Sequence, residues 1–130
     1  MQDRPNYDEL LEAVASFLTN DVMPNTTGRI NFHARVAANV VEMVRRELST
    51  REQHLAEEWV GLDTLLGGES RPASMADLTE RLHQRNADLA ERIRGGFGDG
   101  GSERAALLAH LHRVTHDKLT VTNPAWAAEA

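Results

Sequence analysis

The sequence predicts an all-α fold of about five helices in a single antiparallel bundle. Apolar residues recur at intervals of three and four along most of the 130-residue chain, which is the spacing of one helix face. No stretch alternates apolar and polar residues between hairpin turns, as a half-buried strand would. Because helices with one apolar side bury it most simply against antiparallel neighbours, we expect one domain that covers residues 1–130.

The first two helices are predicted from apolar stripes on either side of a turn. The first runs from about Asn6 to Val22 and ends before Pro24, and its stripe consists of Tyr7, Leu10, Leu11, Val14, Phe17 and Leu18. The second runs from about Asn31 to Leu48. Its apolar arc is wider, so we expect it at the centre of the bundle; the arc consists of Phe32, Val36, Ala37, Val40, Met43, Val44 and Leu48.

Three further helices follow, separated by residues that cap or end a helix. Ser49 or Thr50 can cap a third helix, whose apolar positions are Leu55, Trp59, Leu62 and Leu66. A connector rich in Gly, Ser and Pro, 67–73, precedes a fourth helix that starts near Ser74 and runs to about Arg94. After a glycine-rich segment, Ser102 can cap a fifth helix, which should fray before Asn123 and Pro124.

The composition argues against several classes of protein. The chain has no cysteine, which rules out disulfides and thiolate metal ligands. A net charge of -6 and an aromatic content of 5% argue against nucleic acid binding. No apolar run approaches the roughly 20 residues that cross a bilayer, and the start lacks the pattern of a secretion signal. We therefore expect a cytoplasmic protein that binds neither a membrane nor nucleic acid.

Polar residues interrupt the apolar arc of the second helix. Projected at 100° per residue, His33 falls near the middle of the arc and Asn39 at its margin, so we expect both to be at least partly buried. His33 could transfer a proton or bind a metal ion, and Arg35 or Arg46 could clamp an anion such as a phosphate or a carboxylate. Alternatively, His33 is a hydrogen-bonded core residue and Arg46 forms a surface pair with Glu42. The pattern leaves both interpretations open.

The fifth helix carries a similar interruption near its end. Lys118 lies on the apolar stripe and Asp117 at the edge of the stripe. We expect a structural ion pair between Lys118 and a glutamate of the second helix, rather than a catalytic amine. Asn123 before Pro124 predicts a turn that fixes the C-terminal segment on the bundle.

Two other features resemble ligand sites but lack essential parts of them. His112 and His116 have a spacing that zinc sites use, but the projection turns both toward solvent, so we predict no metal site. The glycine-rich segment 95–101 lacks the lysine of a P-loop and follows a helix, so we interpret it as a flexible connector. Because there is no nucleophile elbow, thiol or carboxylate pair in register, the sequence predicts no catalytic residue and no cofactor.

Several segments match the motifs of a known protein family. They are Met1–Pro5 followed by Asp8–Leu11, Phe32–Asn39, Arg45–Leu48, and Asp117–Leu119 with Val121 and Asn123–Pro124. The chain thereby resembles an uncharacterised bacterial family that is classed as a domain of unknown function. The resemblance implies an all-helical protein encoded beside aminoglycoside-phosphotransferase-like kinases and acyl-CoA dehydrogenases. It also implies an accessory role in acyl-CoA catabolism.

The motif positions of this family coincide with the polar interruptions, which predicts one cluster where the second helix meets the end of the fifth. The candidate ligand-binding residues are His33, Arg35, Asn39, Arg46, Asp117, Lys118 and Asn123. Our leading hypothesis is a non-catalytic accessory protein that binds a kinase-like or acyl-CoA dehydrogenase-like enzyme. The alternative is a small-molecule or acyl-CoA binding protein, or an unrecognised enzyme, that uses this cluster. A third hypothesis is a homodimer that uses the surplus apolar surface of the second helix.

Overall fold

The computed structural model describes residues 3–129, which form five α-helices, one π-helical turn and no β-strand. The all-α prediction is confirmed. Met1 and Gln2, the first residues of the N-terminal motif, lie outside the described range. None of the helices in this range combines the length and the apolarity needed to cross a membrane. The helices are α1 (Tyr7–Phe17), α2 (Gly28–Leu66), α3 (Met75–Arg94), α4 (Gly101–Thr122) and α5 (Pro124–Ala127), with the π turn at Leu18–Val22.

The second and third predicted helices are one continuous helix, α2, so the break predicted at Ser49 and Thr50 is wrong. The hydroxyl of Ser49 donates to the backbone carbonyl of Arg46 at 2.9 Å instead of accepting from the first amides of a new helix. Neither proline nor glycine stands at this point, so nothing interrupts the helical hydrogen bonds. Helix α2 also begins at Gly28, three residues earlier than predicted.

Side-chain caps determine where α1 and α3 begin. Asn6 and Glu9 form a capping box, in which each side chain accepts a hydrogen bond from the backbone N–H of the other, at 2.8 and 3.0 Å. The Ser74 hydroxyl accepts from the backbone N–H of Asp77 at 3.0 Å, which confirms the start predicted near Ser74. Ser102, the predicted cap of the next helix, lies inside α4 instead.

The chain groups into two compact units, Met1–Ser49 and Thr50–Ala130, and the boundary falls within α2. The N-terminal unit contains α1, the π turn and the first half of α2. The C-terminal unit contains the second half of α2 together with α3, α4 and α5. The single domain expected for residues 1–130 stays a prediction.

Large apolar side chains form the core of the C-terminal unit. Leu62 of α2 is fully buried at the centre of this core. Residues from α2, α3 and α4 surround it, so these three helices bury their apolar stripes against one another. The core consists of Trp59, Leu62, Leu65, Leu78, Leu82, Leu89 and Leu107.

Helix α3 runs in the same direction as the second half of α2. Arg51 donates to the Thr79 hydroxyl at 3.4 Å, and the Asn86 side chain donates to the Glu58 carboxylate at 2.6 Å. Both pairs are 28 residues apart, which means that the two helices advance together. This pair differs from the antiparallel neighbours expected from short loops, because the connector 67–74, at about 3.3 Å per residue, is long enough to carry the chain back.

Candidate functional site

The N-terminal unit is a helical hairpin with a small interior. Its buried residues, among those described, are Ala15 of α1 and Ala34 and Ala38 of α2. Alanine side chains let the two helices approach closely, but they remove little apolar area from water. The hairpin therefore has little hydrophobic stabilisation of its own, in contrast to the leucine core of the C-terminal unit.

Arg45 joins the two helices of this hairpin at its open end. Its guanidinium donates to the two carboxylate oxygens of Asp8 at 2.8 and 3.0 Å and to Glu42 at 3.0 Å, and Glu12 lies 3.6 Å away. The hydrogen bonds from Arg45 lower the pKa of Asp8 below its usual range. Arg46, the neighbouring predicted site residue, lines a cleft of about 480 Å³ beside this cluster. Glu42, which the sequence paired with Arg46, thus binds Arg45.

Large apolar side chains remain exposed on both helices of the hairpin. The packing of the hairpin through its alanines leaves these side chains uncovered. On α2 they recur every four residues from Phe32 to Leu48, which makes a continuous stripe. We call this surface the apolar face; it consists of Tyr7, Leu10, Val14 and Phe17 of α1 and Ile30, Phe32, Val36, Val40, Val44 and Leu48 of α2.

The size of the apolar face distinguishes it from ordinary protein surface. Its ten residues are each 41–64% exposed, so together they present several hundred Å² of apolar surface. Soluble monomers rarely expose a contiguous apolar patch larger than a few hundred Å², and larger patches are typical of binding surfaces. The apolar face is therefore the candidate functional site.

The predicted site residues of the second helix lie at or near this exposed surface. His33 and Asn39 are exposed, so the prediction that they are partly buried is wrong, because the arc that contains them faces away from α1. His33 accepts a hydrogen bond from Arg29 at 3.4 Å and its ring meets that of Phe32 edge-on, 5.5 Å between centres. Arg35 is exposed as well.

The predicted site residues near the end of α4 belong to the C-terminal unit. Lys118 is exposed, although its position continues the apolar stripe of the helix. Its predicted ion pair with a glutamate of the second helix stays a prediction. Asp117 is half-buried, 3.8 Å from the imidazole of His116. Asn123 ends α4 by donating its backbone N–H to the Leu119 carbonyl at 2.8 Å, and α5 follows directly. The predicted cluster draws its residues from both units and stays a prediction.

The structure adds a buried histidine, His110, that the sequence analysis did not single out. It is 4% exposed and its Nδ1 has no hydrogen-bond partner. With Gly61 and Arg113 it lines a cavity of about 220 Å³ in the C-terminal unit. Burial lowers the pKa of His110, and the positive charges of Arg113 and Lys118 lower it further, against an opposing effect of Glu58.

Arg85 of α3 is a second buried polar residue that the sequence analysis missed. It is 2% exposed, and its guanidinium lies 4.5 Å from the ring centre of Trp59. It donates to the Asp63 carboxylate at 2.7 Å and to the Gly67 carbonyl at 2.8 Å, and its Nε lies 3.2 Å from Glu69. Arg85 thereby ties α3 to the end of α2 and to the connector that follows it.

Both missed residues occupy positions where an apolar stripe has a gap. Arg85 stands between Leu82 and Leu89 on α3, and His110 follows Leu107 by three residues on α4. A polar residue at such a position is predicted to be buried on the same grounds as its apolar neighbours. The gaps were therefore the signal that could have found them.

We expect the stability of the protein to decrease as the pH falls from about 7.5 to 5.5. The pKa of His110 is lower in the folded state than its ordinary value of about 6.5. As the pH falls, the unfolded chain therefore takes up a proton on His110 before the folded protein does, and the free energy of unfolding decreases. Urea unfolding at a series of pH values measures the effect. His110→Gln should flatten the dependence in this window, whereas His112→Gln, at an exposed position of the same helix, should retain it. Equal slopes for both variants would contradict the prediction.

The fold and the candidate site define an all-α protein whose N-terminal hairpin exposes large apolar side chains. In residues 3–129, no group of three or more His, Asp or Glu side chains is placed to hold a metal ion. The family DUF6285, described as a domain of unknown function, matches residues 24–126, and the chain belongs to this family. The resemblance to an uncharacterised family is thus confirmed. No curated protein and no solved structure matches the chain.

Proposed function

We propose that this protein is a non-catalytic accessory domain that binds another protein through the apolar face. The observation that carries the proposal is the contrast within the hairpin, where ten large apolar side chains are exposed over an interior of three alanines. An amphipathic helix must bury its apolar stripe against another element to be stable. Here the first half of α2 uses its alanine side against α1 and keeps its larger stripe available for a partner.

The shape of the apolar face favours a protein partner over a small ligand. A small-molecule site is a concave pocket that encloses most of its ligand, whereas this surface follows two helices for several turns. Helical proteins bind such surfaces by packing an apolar helix face along them. The resemblance of the sequence to its family adds the expectation that the domain acts in acyl-CoA metabolism, on a kinase-like or acyl-CoA dehydrogenase-like enzyme. The lack of cysteine adds the expectation that it acts in the cytoplasm.

Site-specific photo-crosslinking in the native cell tests the proposal. A photoreactive residue in place of Val40, in the middle of the apolar face, should form covalent adducts with protein, and mass spectrometry should identify the protein and the site of attachment. Val60 is the matched control, because it is a valine of the same helix that is 62% exposed but lies outside the apolar face. If position 40 yields no more protein adducts than position 60, the proposed function is wrong.

A second candidate function is binding of a small molecule in the C-terminal unit. The cavity of about 220 Å³ beside His110 and Arg113 favours it, because a buried imidazole and a guanidinium are groups that hold polar ligands. Acyl-CoA is the ligand class that the sequence-based alternative named, although that alternative placed it at the polar cluster of the second and fifth helices. A ligand that binds the folded state must raise the melting temperature, so a thermal-shift series with acyl-CoAs decides it. A flat series would exclude acyl-CoAs as ligands.

A further inference from the structure

The cavity beside His110 has a buried floor and a rim that is open to solvent. Its volume is about 220 Å³, which at roughly 30 Å³ for each water-sized group holds about seven non-hydrogen atoms. Because the rim is exposed, a ligand of this size reaches the floor without separating α2 from α4. The floor includes Gly61, Leu65 and His110, and the rim includes Ala106, Ala109 and Arg113.

Two side-chain nitrogens of α4 lie close together above Gly61 of α2. A Cβ on Gly61 would lie 2.6 Å from Nη2 of Arg113 and closer still to Nδ1 of His110. Nδ1 of His110 is buried without a hydrogen-bond partner, and the guanidinium of Arg113 forms no hydrogen bond or ion pair with any of residues 3–129. A carboxylate has two acceptor oxygens, so one such group can bind both nitrogens at once.

We propose that this cavity binds the carboxylate of a small monocarboxylic acid, with Arg113 as the charged anchor and Nδ1 of His110 as the second donor. The aliphatic chain of the acid packs on the apolar part of the lining, Leu65, Ala106 and Ala109. This inference rests on the second candidate function, since it names the ligand class of that cavity. It does not depend on the partner of the apolar face.

The unpartnered imidazole nitrogen favours a ligand with an acceptor atom. A buried polar group that lacks a hydrogen bond has lost its water without a replacement, which is unfavourable. An imidazole can carry its proton on either nitrogen, so Nδ1 of His110 can donate to a carboxylate oxygen while the ring stays neutral. The ligand thereby supplies the partner that the folded chain does not provide.

The charges around the cavity favour a singly charged ligand. Burial lowers the pKa of His110, so its imidazole is neutral at pH 7, and Arg113 supplies the positive charge of the lining. Lys118 adds a positive charge and Glu58 a negative one near the same imidazole. One carboxylate balances the guanidinium, whereas the second charge of a phosphate dianion would repel Glu58.

Titration of the isotopically labelled full chain with sodium pentanoate, followed by the imidazole nitrogen signals in NMR spectra, tests the inference. Pentanoate has seven non-hydrogen atoms. We expect Nδ1 of His110 to shift with a dissociation constant of about 1 mM or lower. Pentanamide, which has the same shape but no charge, should bind at least about tenfold more weakly, because it lacks the charge-assisted bond to Arg113. The absence of a shift at about 20 mM pentanoate, or equal binding of the amide, would overturn the inference.

Arg113→Gln tests the charged anchor. This variant should weaken pentanoate binding at least about tenfold, because it removes a hydrogen-bonded ion pair, and it should keep its helical circular dichroism because Arg113 is exposed. Arg113→Lys should recover part of the affinity. Arg104→Gln is the matched control, an exposed arginine of the same helix that does not line the cavity, and it should bind pentanoate as the natural sequence does. Equal affinities of Arg113→Gln and Arg104→Gln would overturn the proposed site.

The outcomes separate this inference from both candidate functions. Inorganic phosphate that shifts Nδ1 of His110 at lower concentrations than pentanoate would overturn the carboxylate as the ligand class. No shift with pentanoate, together with an acyl-CoA that raises the melting temperature, would overturn the inference and leave the second candidate function standing. Pentanoate binding that Arg113→Gln weakens would support both. The apolar face is tested by the adducts from position 40, which none of these results changes.

Discussion

Replacing Arg85 by methionine should lower the free energy of unfolding by about 3 kcal/mol. The guanidinium is buried, and it donates hydrogen bonds to Asp63 and to the Gly67 carbonyl while it lies beside Glu69 and over the Trp59 ring. Methionine fills much of the same space but donates nothing, so the Asp63 carboxylate and the Gly67 carbonyl lose this donor, and Glu69 keeps only Arg81 as its arginine partner. Urea unfolding monitored by circular dichroism measures the loss.

Arg81→Met is the matched control for this experiment. Arg81 lies one helical turn before Arg85 and binds the same Glu69 at 2.9 Å, but its side chain is far more exposed to water. Exposed ion pairs contribute little to stability, so this variant should stay close to the natural sequence. Arg85→Lys should recover only part of the loss, because one ammonium group cannot reproduce the planar set of donors of a guanidinium. Equal losses at positions 81 and 85 would show that burial does not decide the effect.

Replacing Gly61 by alanine should destabilise the protein by about 1–3 kcal/mol, although the same change stabilises an ordinary helix by about 1 kcal/mol. A Cβ at this position would lie 2.6 Å from the Arg113 guanidinium and closer still to the imidazole of His110. The helix α4 therefore packs on α2 at a point where no side chain fits. Thermal and urea unfolding measure the change, and a gain in stability would contradict the proposed close approach.

A double-mutant cycle shows whether the imidazole causes this effect. In the background of His110→Ala, Gly61→Ala should destabilise the protein much less, because the added methyl group occupies the space that the ring leaves and only the end of the flexible Arg113 side chain must move. Gly68→Ala is the control. No heavy atom lies within 4 Å of a Cβ at that glycine, and it should change the stability by less than about 0.5 kcal/mol. Additive effects of the two changes at 61 and 110 would contradict the contact.

The sequence predicted the helices well where local interactions determine them. The cap at Ser74 and the stop before Pro24 involve groups only a few residues apart, so their effect can be derived without knowing the fold. The same reasoning failed at Ser49, because a serine is compatible with both a helix start and a helix interior. The glycine at 61, which suggested a bend, lies instead inside α2 at the contact with α4.

The candidate site was only partly predictable for a related reason. The wide apolar arc of the second helix was evident from spacing, and a homodimer through it was one of the hypotheses. Spacing does not say which side of a helix its neighbours cover, however. The structure covers the side of Ala34 and Ala38, which exposes His33 and the stripe around Val40.

The sequence by itself determined that this protein is all-α, where most of its helices begin and end, and which residues make up the apolar stripes. These properties depend on hydrogen bonds and spacings within a few turns of the chain. Only the tertiary structure decided that α2 is continuous, that Arg85 and His110 are buried, and that the larger apolar side of the hairpin is exposed. These properties depend on contacts between residues that are far apart in sequence. The spacing of apolar residues does not show which helix faces pack against each other.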